Sequence, residues 1–346
     1  MIRKRKHLCA SACLLVALSS CAAPKQARFS LNGCGQAIPF DPMAAQWRVE
    51  PTPQLSPGSA GAWDDSDVLN PSVIRVSDQY FNFYSGFDGE TWRTGLATSQ
   101  DGLVWTKNPQ NPILEPDPST WESDYIAANG TVARDESGFL HWYQAGERNR
   151  TQIGLARSPD GVSWTKLPEP VLESGPPGAW DESGLGDPYV FSCGSEYYLY
   201  YLGQNRFGVQ RLGVAHSTDG VVWQKSHLNP MLEPGGGGEF DERGLGEPAV
   251  FRTADAYWMI YVGRDSAEHR ALGWARSPDG VAWEKIPALG ILEGQQPWDD
   301  AVVCDPSVWF DGSLKIWFGG GDRASPDENL NGQIGLAVME SLPQGL

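Results

Sequence analysis

The sequence predicts an all-β protein: a single five-bladed β-propeller with four antiparallel strands per blade, the fifth blade closed by the N-terminal strand. Three observations carry that prediction. The motif Gly95-Leu96-Ala97-Thr98-Ser99-Gln100-Asp101-Gly102-Leu103-Val104-Trp105 returns at Gly154 to Trp164, Gly213 to Trp223 and Gly273 to Trp283. With a truncated fifth copy at Gly335-Leu336-Ala337, the leading glycines stand 59, 59, 60 and 62 residues apart, and so regular a period marks a repeat architecture. A second phrase also occurs five times: an aromatic, acidic residues, a short spacer, one polar residue, then a strand-like run. Finally, 15 Trp, 40 Gly and 26 Pro in 346 residues favour short strands and tight turns over helices.

The chain opens on an export signal. Arg3-Lys4-Arg5-Lys6 precedes an apolar stretch, Cys9 to Leu18, that is too short to span a membrane. Leu18-Ser19-Ser20-Cys21 resembles a bacterial lipoprotein box, in which Cys21 is lipidated; an ordinary cleaved signal ending near Cys21 is the alternative. The expected division is therefore signal 1–20, tether 21–42 and propeller 43–346, with the mature protein a monomer lipid-anchored to the cell envelope, periplasmic or surface-exposed. Losing residues 1–20, with four basic and no acidic side chains, takes the formal charge from −17 to −21. That balance disfavours nucleic acid and anionic membrane surfaces as partners. Of the cysteines left, Cys34, Cys193 and Cys304 lack zinc-site spacing. One disulfide among them is allowed, and the sequence does not name the pair.

Each period holds four strand-like pieces. Around Gly273 these are Ala249 to Thr253, Tyr257 to Val262, Ala271 to Ser277 and Val281 to Lys285. Ser-x-Asp-Gly-x-x-Trp between the last two is a hairpin turn, with Asp capping and Gly supplying positive φ. Four-stranded units of this length stacked radially describe a propeller. The last period stops near Met339, and its missing fourth strand lies at the other end of the chain. Trp47 to Leu55 matches Trp105 to Ile113, so the N-terminal segment is expected to close the ring.

The polar residues of the second phrase are Asn70, Asn129, Asp187, Glu247 and Asp305. Each stands just before an inner strand, and in four copies a proline follows, which is expected to hold the residue extended. All five then converge on one axial pocket. Asp187, Glu247 and Asp305 come from consecutive blades; clustered acids repel, raising the pKa of one or more toward the range of a general acid. A plainer reading is that these side chains only bond loop amides at the start of each blade.

The periodicity, the Ser-x-Asp-Gly-x-x-Trp turns, Asp187-Pro188 and Glu247-Pro248 together resemble the five-bladed propeller glycoside hydrolases, nearest family 43 and related to family 32, over Trp47 to Met339. The resemblance implies that Glu247 is the general acid and that Asp187 orients substrate and tunes the acid. The family's base is an Asp before the first inner strand, where this chain has Asn70, and an amide cannot take a proton from water. Asp305 could act instead, or Asp67 or Asp65 from the same loop, or the protein binds sugar without cleaving it. Inversion needs the working carboxyls about 6.5–9.5 Å apart and retention about 5–5.5 Å.

Loops after the second strands carry Arg148, Arg150, Arg206, Arg264 and Arg323, natural partners for a carboxylate or phosphate. Acids in the neighbouring loops, among them Asp181, Glu182, Asp241 and Glu242, are the competing partners. If the arginines face the ligand, an anionic sugar or a phosphorylase resembling family 130 comes into view, where phosphate is the nucleophile and needs no base. The expected reading is a glycoside hydrolase in which the resemblance assigns Glu247 and Asp187, Asp305 is the remaining base candidate, and Asn70, Asn129, Asp67, Arg148, Arg206 and Arg264 bind carbohydrate. A non-catalytic glycan-binding propeller is the alternative, and a phosphorylase the third. No cofactor is expected; some relatives hold a divalent ion in the channel, but no ligand set for one is evident. The repeated Trp63, Trp121, Trp180 and Trp298 are expected to serve packing before sugar stacking, and His141 and His216 to lie in strands.

Overall fold

The computed structural model describes residues 29–31 and 33–341; the expected signal and Cys21 lie outside the described residues. Five antiparallel blades surround one axis. Their inner strands are Asp67–Val76, Ile126–Asp135, Gly184–Cys193, Gly244–Thr253 and Val302–Phe310. In blade 3 the second, third and fourth strands are Glu196–Gln204, Gln210–Ser217 and Gln224–Lys225, and blades 1, 2 and 4 repeat the arrangement. Blade 5 takes its fourth strand from the start of the propeller: Ala45–Val49 lies antiparallel to Gln333–Ser341, with Trp47 opposite Met339. The inner strands touch in the cycle 1-2-3-4-5-1, so the ring closes.

The repeated turn explains the period. In blade 1, Ser99 Oγ accepts the Gly102 N–H at 2.9 Å and Asp101 Oδ1 accepts those of Leu103 and Val104 at 2.8 and 3.0 Å. Gly102 sits at φ 79°, and Trp105 Nε1 donates to its carbonyl at 3.1 Å. The same carbonyl also accepts Trp317 Nε1 of blade 5 at 2.9 Å, and Gly220 accepts Trp142 of blade 2 at 2.8 Å. One turn therefore ends a hairpin and latches two blades.

A second repeated device lies under the loops that precede the inner strands. Trp63, Trp180 and Trp298 lie flat against paired glycines; a Cβ on Gly203 would come within 2.4 Å of the Trp180 ring. The acid after each aromatic is buried and takes a lysine from the fourth strand: Lys107 to Asp64 at 2.6 Å, Lys225 to Asp181 and Lys285 to Asp241 at 2.5 Å, and Lys166 to Glu122. Tyrosines of the second strand join them, Tyr84 to Asp64 at 3.0 Å and Tyr261 to Asp241 at 3.2 Å. Blade 5 has Val49 and Phe318 at those two positions, and Asp299 instead accepts the N–H groups of Gln295 and Gln296 at 2.9 and 2.7 Å.

Part of the expected tether is structural. From Phe29 the chain lies along blades 3 and 4, with Leu31 and Phe40 buried and Ala37–Ile38 paired parallel to Arg252–Thr253. Cys34 is disulfide-bonded to Cys193 of blade 3, which leaves Cys304 as a buried free thiol. Two buried apolar side chains and a cross-link thus anchor a segment whose composition reads as a linker. His141 is buried in its strand, and His216 lies 3.5 Å from Glu196.

Removing the lysine from one triad strands a buried carboxylate, so Lys225→Ala should lower unfolding stability by about 3 kcal/mol. Urea denaturation reads this; a loss under about 1 kcal/mol would mean that Asp181 does not depend on its cation.

Candidate active site

Each of the five polar residues stands at a β-bulge in its inner strand, where register with the second strand slips. All five are left-handed, at φ 47° (Asn70), 48° (Asn129 and Asp187), 51° (Glu247) and 52° (Asp305). This corrects the extended geometry expected before proline. A bulge takes its extra residue near the right-handed or the left-handed helical region, and a following proline disfavours the right-handed one.

The reversal turns each main-chain N–H around the ring toward the preceding blade. Asn70 N–H donates to Asp305 Oδ2 at 3.1 Å, and Asp305 N–H donates to Glu247 Oε2 at 2.9 Å. Glu247 N–H donates in turn to the Asp187 carboxyl. Where the preceding blade carries an Asn, its second strand supplies the acceptor. Asn129 N–H donates to Ser85 Oγ at 3.0 Å and Asp187 N–H to Gln144 Oε1 at 3.4 Å. The plainer reading is therefore correct for part of each acid, and the ring still brings all five residues to one cavity of about 420 Å³.

Asp305 is the most occupied of them. It accepts Asn70 N–H, Asn70 Nδ2 at 2.6 Å, Cys304 Sγ at 3.0 Å and the Glu247 carboxyl. A carboxylate offers about four lone-pair sites, and these four donors fill them. Gly319 makes the burial possible, because a Cβ there would lie 2.7 Å from Asp305 Oδ2. Ligand atoms of Glu247, Cys304 and Asp305 lie within 4.8 Å of one another. That is too close for the water an inverting pair encloses. Asp305 thus stands hydrogen-bonded to Glu247, with no gap between them for the water that a base in an inverting pair would hold.

Burial and then the charge of Asp305 push Glu247 up to about 8, while Arg270 pulls the other way. Asp187 is raised well above the usual carboxylate range, first by burial and then by Glu247. Burial raises Asp305 as well. Arg270 is the cation that makes the cluster tolerable, and the sequence reading missed it. It faces Glu247, Asp305 and Asp327, and Nη2 donates to the carbonyls of Ser325, at 3.1 Å, and Pro326. Its position carried a signal. Trp92, Thr151, Gln210 and Arg270 all stand three residues before the motif glycine, and all line the cavity.

The remaining expected residues divide. Asn70, Asn129, Arg148, Arg206 and Arg264 line the cavity; Asp67 and Asp65 do not. Asp67 is fully buried and accepts the N–H groups of Asn329 and Gly332 at 2.7 and 2.8 Å. It anchors residues 322–332, a strap from blade 5 that crosses the cavity. Asp65 accepts Gly61 N–H at 2.6 Å. Three of the five loop arginines meet acids, and one of those acids, Glu182, is among the partners expected. Arg206 pairs with Glu182 at 2.6 Å, Arg264 with Glu268 at 3.3 Å and Arg148 with Glu328 of the strap at 2.5 Å.

Fold and site together define a five-bladed propeller whose axial cavity holds a largely buried cluster of acids with raised pKa values. Residues 127–226 match the glycoside hydrolase family 130 model, described as beta-1,4-mannooligosaccharide phosphorylase. That span takes in Asn129 and Asp187. The likeness thus falls on family 130, and the nearness to family 43 is not supported. The chain is similar to an uncharacterized protein of Mycobacterium tuberculosis, 26% identical over 220 residues, or 61% of this chain and 72% of that one. It is also similar to a 1,2-beta-oligomannan phosphorylase of Thermoanaerobacter sp., 32% identical over 191 residues, or 39% of this chain and 64% of that one. Among solved structures, beta-1,2-mannobiose phosphorylase from Listeria innocua superposes with a TM-score of 0.66 at 13% identity, covering 85% of this chain and 96% of that one.

A reaction that needs protonated Glu247 should hold its rate up to a pH of about 8 and fall beyond it, since the carboxyl then ionises. Arg270 stabilises the ionised form, so Arg270→Met should move that alkaline limb to higher pH. Initial rates across pH read both, and a limb that stays in place would remove Arg270 from the acid's surroundings.

Proposed function

We propose that the protein cleaves a glycosidic bond in a β-linked manno-oligosaccharide, with inorganic phosphate as the attacking group. A phosphate oxygen forms the new bond to the anomeric carbon as the bond to the leaving oxygen breaks. Glu247 gives its proton to that oxygen. The products are a sugar 1-phosphate and a glycan one unit shorter. The carrying observation is the pairing of a protonation-prone Glu247 with Asn70 and a saturated Asp305. The cavity then offers an acid, but no base on the ring. Phosphate needs none, being already an anion at neutral pH, and Arg270 and Arg264 line the same cavity. The family 130 match over residues 127–226 and the Thermoanaerobacter relative support the reading.

One observation favours hydrolysis as a second reading. Asp327 of the strap also lines the cavity, and a carboxylate there could activate water.

Product analysis with and without phosphate separates the two. Phosphate-dependent sugar 1-phosphate supports phosphorolysis, and Asp327→Asn should then leave most of the rate. Free sugar formed without phosphate, and lost in Asp327→Asn, supports hydrolysis. Glu247→Gln should cut turnover at least about 100-fold in either case, and unchanged turnover would end the assignment.

A further inference from the structure

The cavity is not closed evenly. The strap 322–332 reaches blade 2, where Glu328 meets Arg148 and accepts the Tyr125 hydroxyl at 3.3 Å. It reaches blade 4 through the Ser325 and Pro326 carbonyls, which accept from Arg270 and Arg264. Asp67 ties it to blade 1. Among the described residues, its hydrogen bonds and ion pairs go to blades 1, 2 and 4 and none to blade 3.

On the blade 3 side, Asn205 and Arg206 line the axial cavity and also a second depression of about 400 Å³ on the outer flank of their own loop. The two spaces share that loop as a common wall. Its tip is Phe207, 82% exposed and the one exposed phenylalanine among the described residues. The ring is not there through looseness. Asn205 Oδ1 accepts the N–H groups of Phe207 and Val209 at 2.9 and 3.1 Å, and Gly208 takes φ 74°. Arg206 is fixed by two bonds to Glu182, at 2.6 and 2.8 Å. Beyond the ring, the half-buried Trp180 and the Arg211–Glu233 pair, 2.6 Å apart, line the depression. An apolar ring held out to water beside fixed polar groups suits the C–H face and hydroxyl edge of a sugar.

We infer that the substrate is an oligosaccharide of at least three units whose distal part leaves the cavity across blade 3 and lies on Phe207. This rests on the proposed function for its sugar class but on separate residues for its path.

The test is a series of β-linked manno-oligosaccharides from two to four units, measured as kcat/KM and, on Glu247→Gln, by calorimetry. Affinity for Glu247→Gln should rise with length. Phe207→Ala should reduce the ratio of tetrasaccharide to disaccharide affinity, and of kcat/KM, by about fivefold to tenfold, with Tm unchanged. A ratio that Phe207→Ala leaves intact, or affinity independent of length, overturns the inference. Wild-type protein that binds the series with this length dependence but cleaves none of it overturns the proposed reaction and leaves the groove standing.

Discussion

A ring of five left-handed residues holds this propeller together at its axis, each turning its N–H toward the blade before it. The arrangement costs on the order of 1–3 kcal/mol per residue in backbone strain. It persists because side chains of neighbouring blades supply the acceptors, and the closure of the N-terminal strand on blade 5 fixes their spacing. Acids in blades 3, 4 and 5 accept directly, while Ser85 and Gln144 stand in where the blade carries an Asn. The same contacts that join blades therefore deliver carboxyls to the axial cavity.

Electrostatics follows from that delivery. Three carboxyls with one central cation cannot all ionise cheaply where water is scarce. The cluster resolves the conflict by division of labour. Asp305 takes four donors and serves as the acceptor, Glu247 keeps a proton toward neutral pH, and Arg270 limits how far the pKa rises. Such a pair titrates as a unit. In the proposed reaction this makes Glu247 a donor already loaded when the substrate arrives. The missing base at Asn70 is then a consistent part of the site: the amide donates to Asp305 and helps hold it as the acceptor.

Much of this was legible in the sequence where the cause is local. The Ser-x-Asp-Gly-x-x-Trp turn reads directly because its hydrogen bonds span three residues, and its recurrence sets the blade period. The match of Trp47 to Leu55 with Trp105 to Ile113 located the closing strand, and Leu55 bridges Ile334 as Leu114 bridges Thr94. Convergence of the five polar residues followed from the fold. Their backbone did not, because the proline rule concerns one residue and its neighbour, while the bulge is imposed by the second strand. Arg270 lies in a strand and not in a loop, so the loop arginines do not point to it, yet its repeat position lines the cavity in four blades. Asp67 was misplaced because an acid in a site-proximal loop looks like a ligand group; its partners lie some 260 residues away, in a strap with no counterpart in the other blades.

The claim on which the account turns is that the Glu247 carboxyl is neutral in the folded protein near neutral pH. Infrared difference spectroscopy between wild type and Glu247→Gln at pH 6 measures it directly. The account predicts a protonated carboxylic acid stretch, present in the wild type and absent in the variant, that converts to carboxylate bands as the pH passes about 8. Carboxylate bands already assignable to Glu247 at pH 6 would contradict it.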